Sequence, residues 1–391
     1  MTFRPRSSPA LPPPAAEARA RSEALADRIR AEIAGAGGAI GFDRFMELAL
    51  YSPGFGYYSA PTERFGESGD FVTAPEISPL FGRCLAHPVA EVLNHLKGGD
   101  VLEAGAGSGN LAADLLSQLA ATGALPGRYL ILEVSGELRA RQEATLRERV
   151  PEILPHVAWL DRLPGPGFRG VVLANELIDA LPVVRFIAGA DGAGELHVGV
   201  EGSRFAWREA PARAAVAERV DGLDLPAGYV SEVNLAGEGW VRSLAERLEQ
   251  GLILLIDYGF PRSEYYHPER ATGTLVCHYR HRVHDDPLVL VGLQDITAHV
   301  DFTAIAEAGR AAGLSVVGYT SQAAFLLGSG LDRLLADSDP NDVRAHLALT
   351  QQVKKLTLPS EMGELFKVIG LARGPVPALA GFAMQDRRSR L

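Results

Sequence analysis

The segment from Val101 to Leu119 constrains the fold most, because it runs from an apolar strand through three alternating glycines into an amphipathic helix. Gly105, Gly107 and Gly109 have no Cβ, so the backbone there can bend freely and let a ligand approach closely. Leucines at positions 111, 115 and 119 then recur at helical spacing. The pattern predicts a strand, a tight turn and a helix whose first N–H groups face a ligand.

The spacing of the glycines favours S-adenosylmethionine (SAM) over a dinucleotide. A dinucleotide turn reads GxGxxG, whereas this chain reads ExGxGxG, with Glu103 at the strand end. A carboxylate repels a pyrophosphate but attracts the ammonium and sulfonium groups of SAM. Glu133 ends the next apolar strand, 24 residues after Gly109, near the offset of about 20 of a ribose-binding acid. An NAD site and a ligand-free strand-to-helix connection are the alternatives.

Strands and helices alternate around this segment, which predicts an α/β fold with a parallel, Rossmann-like sheet. The predicted strands lie at 100–104, 129–133, 156–160 and 170–174, with helices at 110–121 and 136–148. Short alternating strands after Pro182 indicate an inserted antiparallel segment. The core pattern returns in a helix near 235–249, a strand at 251–259, helices within 322–356, and two closing strands, LSVVGYT and FKVIGLARG.

This pattern divides the chain into three parts. We predict a disordered, proline-rich tail over residues 1–20 and an N-terminal helical cap with an aromatic and glycine-rich loop over 21–97. The methyl-transfer core would follow over 98–391, with insertions near 183–234, 260–300 and 322–362. The aromatic loop is interpreted as ordered and functional, with plain packing against the core as the alternative.

The net charge and the lengths of the apolar runs argue against a nucleic-acid-binding protein and a membrane-spanning protein. A net charge of −10 argues against nucleic-acid binding, and no apolar run reaches the ~20 residues that a membrane helix needs. The two cysteines indicate neither a disulfide framework nor a zinc site. His278, His281 and His284 favour a solvated loop over a metal site, so no metal is predicted. We predict a cytoplasmic protein, with the mitochondrial matrix as the alternative.

A third strand end carries the residues that we expect to act on the methyl acceptor. Asn175, Glu176 and Asp179 follow an apolar strand, in VVLANELIDALPVVRF. Carboxylates at Glu176 and Asp179 could hold a planar guanidinium, whereas an amide or aromatic amine acceptor would depend more on Asn175. Asp70 and Glu76 are additional candidates, and Asp70 is also predicted to contribute to the cofactor site. The alternative is a helix cap and a surface acid.

Seven stretches together resemble the MidA-like SAM-dependent methyltransferases, a family with mitochondrial complex I assembly factors and bacterial members. They span about residues 40 to 370 and read LYSPGFGYYS, SGDFVTAPEISPLFG, EAGAGSG, LILEVS, NELIDALPV, DITAHVDF and MGELFKVIGL. The resemblance implies a class I methyltransferase fold with an N-terminal helical cap and α+β insertions. It also implies protein arginine N-methylation, on a respiratory complex I subunit or an equivalent partner.

Carried over by residue, the resemblance gives the cofactor turn to Gly105, Gly107 and Gly109 with Glu103. It gives the ribose acid to Glu133, and the motif after the fourth strand to Asn175, Glu176 and Asp179. The leading hypothesis is therefore a SAM-dependent protein arginine methyltransferase. An NAD-dependent oxidoreductase and a non-catalytic SAM-binding assembly factor are the alternatives. The oligomeric state is not indicated by the sequence.

Overall fold

The computed structural model describes residues 11–60, 72–336 and 342–391. The α-helices are α1 Ala16–Gly35, α2 Phe42–Tyr51, α3 Ala74–Ile77, α4 Pro79–Leu96, α5 Asn110–Ala121, α6 Gly136–Arg149, α7 Ala214–Asp221, α8 Leu235–Arg247, α9 Arg262–Tyr265, α10 Phe302–Ala311, α11 Gln322–Gly328, α12 Leu331–Ala336, α13 Val343–Thr357 and α14 Met362–Leu365. The strands are β1 Ala39–Gly41, β2 Asp100–Ala104, β3 Tyr129–Leu132, β4 Val157–Leu160, β5 Phe168–Asn175, β6 Val184–Gly189, β7 Gly192–Glu201, β8 Arg204–Pro211, β9 Val230–Val233, β10 Leu248–Phe260, β11 Val276–Tyr279, β12 Arg282–His284, β13 Asp295–Thr297, β14 Val300–Asp301, β15 Ser315–Ser321 and β16 Phe366–Arg373.

These elements form two compact units. The core unit comprises Val72–Leu177, Glu238–Pro261 and the described part of Asp301–Leu391. The N-terminal unit comprises the described part of Met1–Phe71 together with Ile178–Gly237 and Arg262–Val300. The predicted insertions near 183–234 and 260–300 therefore group with the N-terminal segment, whereas the third insertion, near 322–362, stays within the core unit.

The core unit is built on one mixed sheet, in the order β15-β16-β10-β5-β2-β3-β4. The five strands from β10 to β4 are mutually parallel, and β16 runs antiparallel to both β10 and β15. This confirms the predicted parallel core and its two closing strands. Apolar side chains of β2, β5 and β10 pack with α4 and α5 in one buried cluster that includes Leu93, Val101, Leu115, Val171 and Leu254.

The strand order reverses between β2 and β5. The chain builds outward from β2 through β3 to β4, and then returns to the other side of β2 as β5. Ligands of open α/β sheets bind beyond the carboxyl ends of the strands at such a reversal. The loops after β2, β3, β5 and β10 are therefore the places where a site is expected.

The N-terminal unit is antiparallel. One sheet has the order β1-β7-β6-β9, with β8 on β7, and a smaller sheet has the order β12-β11-β13. The strands β6, β7 and β8 confirm the inserted antiparallel segment predicted after Pro182. Helices α1 and α2 form the helical part of this unit, and buried Leu25, Ile29 and Ile33 line one face of α1.

The predicted N-terminal tail extends too far toward the C-terminus. Helix α1 begins at Ala16, inside the segment 1–20 that we expected to be disordered. The last proline of the run is Pro14, and Ala, Glu and Arg, which follow it, are strong helix formers. The predicted cap over 21–97 also differs from the structure, because α4 lies in the core unit, where Leu80, Phe81 and Val89 join the sheet cluster.

The histidine-rich stretch is not the solvated loop that the sequence predicted. It forms a β-hairpin of β11 and β12, in which Cys277 pairs with His284 and both side chains are buried. Arg280 and His281 make the turn with φ of 49° and 58°, the left-handed geometry that matches the twist of hairpin strands. Among the described residues, no cluster of three or more His, Cys, Asp or Glu side chains could hold a metal ion.

No helix in the described ranges combines the length and the apolar character that crossing a membrane requires.

Candidate active site

The three glycines after β2 form the tight turn that the sequence predicts. Their φ angles are 71° at Gly105, 53° at Gly107 and 87° at Gly109, all in the left-handed region that favours glycine. A Cβ at Gly105 would lie 2.9 Å from Cδ1 of Leu177, and one at Gly109 would lie 3.1 Å from Cα of Gln142. Helix α5 begins immediately after the turn, at Asn110. The backbone here is therefore bent and closely packed.

Glu103 lies at the end of β2 and is 2% exposed. Its Oε2 accepts a 2.6 Å hydrogen bond from the phenol of Tyr129. Burial raises the pKa of Glu103 to about 7, against the opposing effect of the Tyr129 hydrogen bond. The structure thus directs this carboxylate to an internal phenol, and its contact with the ammonium of SAM stays a prediction.

Glu133 follows β3 directly and lies beside the glycine turn, where the N–H of Gly105 donates to the carbonyl of Leu132. Its Oε1 accepts from the backbone N–H of Ser135 at 2.9 Å, and its Oε2 accepts from Nε2 of Gln142 at 3.1 Å. Burial raises the pKa of Glu133, although these hydrogen bonds oppose the shift. The next residue, Val134, is 78% exposed, so an apolar surface adjoins the carboxylate.

Gln142 is a residue of this site that the sequence pattern did not reveal. It lies on α6, is 0% exposed, and donates from Nε2 to the carbonyl of Gly107 at 3.1 Å as well as to Glu133. Its Oε1 accepts from the indole N–H of Trp159 at 2.9 Å. The available signal was weak: Gln142 and Leu146, four residues apart, are the two buried positions of an otherwise polar helix.

Glu76 reaches the same turn from α3. Its carboxylate accepts from the hydroxyl of Ser108 and, at 3.1 Å, from Nδ2 of Asn110. The sequence suggested Glu76 for the methyl acceptor, but these contacts tie it to the start of α5. Asp70, the other acid of that loop, lies outside the described residues, so its predicted part in the cofactor site stays a prediction.

Asn175 and Glu176 end β5, which is the neighbour of β2 in the sheet. Glu176 has a φ of 51°, uncommon for a residue with a side chain, and its Oε1 accepts from Nδ2 of Asn175 at 3.1 Å and from the N–H of Ala74 at 3.4 Å. Asn175 Oδ1 is buried and has no hydrogen-bond partner among the described residues. A buried acceptor of this kind is costly unless a ligand supplies a donor.

Asp257 is a second residue, after Gln142, that the sequence pattern did not single out. It lies near the end of β10, where Ile256 pairs with Asn175, and it is 1% exposed. One of its oxygens, Oδ1, accepts from the N–H of Tyr258 at 2.9 Å. The signal in the sequence was an acid at the end of an apolar strand, the same signal that identified Glu103 and Glu133.

Asp179 belongs to the N-terminal unit, so its predicted grouping with Asn175 and Glu176 stays a prediction. It is 4% exposed, and its carbonyl accepts from the N–H of Ala298 at 3.0 Å. The described part of the aromatic loop is packed in that unit. Tyr51 and Tyr58 stack with ring centres 5.5 Å apart, and the Tyr58 hydroxyl donates to Asp295 at 2.8 Å.

Comparison with known proteins identifies the family to which this chain belongs. A family model described as "Putative S-adenosyl-L-methionine-dependent methyltransferase" matches residues 84–320, more than half of the chain. The chain belongs to this family. The match includes the glycine turn, Glu133 and the Asn175–Glu176 strand end, and it confirms the SAM cofactor that the sequence predicts. The sheet order, together with the S-adenosyl-homocysteine-bound structure described next, confirms the predicted class I methyltransferase fold.

Individual relatives support the same conclusion. A crystal structure from Burkholderia thailandensis, described as a likely methyl transferase bound to S-adenosyl-homocysteine, is 50% identical, with a TM-score of 0.94. The comparison covers 98% of this chain and 100% of that one. The chain is 31% identical to the mitochondrial protein arginine methyltransferase NDUFAF7 of Mus musculus, over 85% of this chain and 81% of that protein. A Drosophila melanogaster homologue is 29% identical over 95% and 91%.

Proposed function

We propose that this methyltransferase acts on arginine side chains of a protein. The observation that carries the proposal is the pair at the end of β5: a carboxylate at Glu176 fixed by the Asn175 amide, beside a buried Asn175 oxygen that lacks a donor among the described residues. A guanidinium has five N–H donors and no acceptor, so it suits a site made of acceptors. The relatives named as arginine methyltransferases support this choice of substrate.

The residues around the glycine turn fit the cofactor. The bend presents backbone without Cβ atoms, the Glu133 carboxylate can accept from ribose hydroxyls, and exposed Val134 offers an apolar surface for an adenine ring. When bound, SAM supplies an electrophilic methyl group to this edge of the sheet. The dinucleotide alternative is not favoured. The family is described as SAM-dependent, and the similar structure from Burkholderia thailandensis has S-adenosyl-homocysteine, the demethylated product of SAM, bound to it.

The role of the protein is then mainly to position the acceptor. Glu176 would hold the guanidinium plane through two N–H groups and take up the proton that the attacking nitrogen releases. The Asn175 oxygen would accept a further N–H and limit rotation of the guanidinium. The proposal includes a respiratory complex I subunit as the methyl acceptor. It also includes the mitochondrial matrix as the cellular compartment. The animal relatives are named mitochondrial, which supports the matrix over the cytoplasm.

A labelling experiment tests the proposal. The purified chain is incubated with methyl-labelled SAM and protein from cells that lack its gene, and modified residues are identified by mass spectrometry. We expect label on arginine, with a rate about a hundredfold lower for Glu176→Gln and unchanged affinity for S-adenosylhomocysteine (SAH). Glu143→Gln, at an exposed position of α6, is the control. Label on lysine or on amides would contradict the arginine assignment.

A further inference from the structure

Gln142 is held in one orientation by a donor that cannot act as an acceptor. The indole N–H of Trp159 only donates, so the atom of Gln142 that faces it must be Oε1. The amide nitrogen is thereby turned toward the cofactor turn. Its two hydrogens then have two acceptors, the carbonyl of Gly107 and Oε2 of Glu133, each at 3.1 Å.

Helix α6 contacts the turn at two further points. The backbone of Gln142 lies so close to Gly109 that a Cβ there would be 3.1 Å from its Cα. One turn later, the hydroxyl of Thr145 donates to the carbonyl of Ser108 at 2.8 Å. The glycine turn and the acid after β3 are therefore coupled through one helix, and Gln142 is the side chain that contacts both.

The Glu133 carboxylate keeps acceptor capacity for a ligand. A carboxylate can accept about four hydrogen bonds. Gln142 and Ser135 supply one donor to each oxygen, and the backbone N–H of Val134 is a third donor. These bonds fix the plane of the carboxylate before a ligand arrives. A fixed acceptor loses less conformational freedom on binding than a mobile one, so its hydrogen bonds to a ligand are more favourable.

We infer that Gln142 is a positioning residue for the cofactor, which sets the Glu133 carboxylate and the Gly107 peptide in the geometry that reads the ribose hydroxyls. This inference rests on the proposed ribose role of Glu133. A purely structural Gln142 would stabilise the fold and affect every ligand equally. A positioning Gln142 affects specifically the discrimination between a ribose and a deoxyribose.

The experiment measures that discrimination by titration calorimetry with SAH and its 2′-deoxy and 3′-deoxy analogues. The wild type is expected to prefer SAH over at least one of the analogues by about tenfold. Gln142→Met should weaken SAH binding about tenfold and reduce this preference to about twofold. Trp159→Phe, a milder variant that leaves the Gln142 amide in place without its orienting donor, should reduce it to about fivefold.

Gln322→Met is the matched control. Gln322 is also 0% exposed, lies in the core unit, and donates from Nε2 to the carbonyl of Leu356 at 2.9 Å, away from the cofactor turn. This variant should lose stability and keep the full preference for the ribose.

The outcomes separate the role of Glu133 from that of Gln142. Glu133→Gln must lose the preference. If Glu133→Gln keeps the preference for the ribose, both the ribose role of Glu133 and the inference on Gln142 are overturned. If Glu133→Gln loses the preference and both Gln142→Met and Trp159→Phe keep it, the inference on Gln142 alone is overturned. Loss of the preference in Glu133→Gln, with a reduced preference in Gln142→Met and Trp159→Phe and the full preference in Gln322→Met, supports the inference.

Discussion

Two buried glutamates, one in each unit, have opposite surroundings. Glu232 of the N-terminal unit is 1% exposed, lies 3.7 Å from Nε of buried Arg185, and accepts from the N–H of Thr274 at 2.8 Å. Glu133 of the core unit is 8% exposed, and the hydrogen bonds of its carboxylate come from neutral donors, the backbone N–H of Ser135 and the amide of Gln142. Burial raises the pKa of both.

The comparison distinguishes a carboxylate that stabilises the fold from one that serves a ligand. The charge of Glu232 is compensated inside its own unit by a guanidinium, whose pKa burial lowers in turn. The Glu133 carboxylate accepts hydrogen bonds only from neutral donors among the described residues, because the guanidinium of Arg139 donates to the backbone carbonyl of Glu133 instead. Glu133 follows β3, the neighbour of β2 in the sheet, and adjoins a bare glycine turn and exposed Val134. A buried charge that lacks a full internal counterpart is typical of functional sites.

The largest expected effect is on stability, at Glu232. Glu232→Ala removes a carboxylate that lies 3.7 Å from buried Arg185 and leaves that guanidinium less compensated. The free energy of unfolding should therefore fall by about 3 to 5 kcal/mol in urea titration. The affinity for SAH, measured where the variant is folded, should change less than twofold. The double variant Glu232→Leu with Arg185→Met should recover most of the stability, because it removes both charges. A Glu232→Ala protein of full stability would break the comparison.

The next effect is a pH dependence of stability at Glu103, whose hydrogen bond comes from a neutral phenol. Its pKa in the folded chain is about 7, against an ordinary 4.5. As the pH rises from about 4.5 to 7, the unfolded chain ionises this group while the folded chain keeps its proton. The free energy of unfolding should therefore fall by about 3 kcal/mol across this window and level off above it.

Glu103→Gln supplies the control for that pH dependence, because it replaces the group with a neutral side chain of the same shape. Urea titrations of both proteins at several pH values from about 4.5 to 8 should diverge as the pH rises, with the variant the more stable at the upper end. Parallel curves would show that Glu103 does not titrate in this window.

The third effect is on binding, at the glycine turn. Gly107→Val places a branched side chain at a φ of 53°, so SAH affinity should fall more than about a hundredfold in calorimetry. Gly123→Val is the matched control, because Gly123 has a φ of 70° and a Cβ placed there would meet no described atom within 4 Å. Its valine also stands at a positive φ and is strained, but it does not obstruct a ligand at the cofactor turn. Equal affinity losses in the two variants would show that strain, and not access, governs binding.

The local sequence pattern was sufficient to predict the strands and helices of the core. It was insufficient where contacts between residues distant in the sequence determine the structure. Helix α5 spans the predicted 110–121 because glycines precede it and leucines recur through it. The hairpin turn at Arg280 and His281 was missed because neither residue is a usual choice for positive φ. Gln142 was missed because its partners Gly107 and Trp159 are distant in the sequence. The grouping of α4 with the sheet likewise depends on contacts that no local period shows.

A crystal structure of this chain with bound SAH would examine the proposed cofactor site directly. We expect the ribose hydroxyls within hydrogen-bond distance of the Glu133 carboxylate, and the homocysteine part over the backbone from Gly105 to Gly109. Ligand density away from this turn, or a ribose that makes no hydrogen bond to Glu133, would show that the cofactor is held in another way.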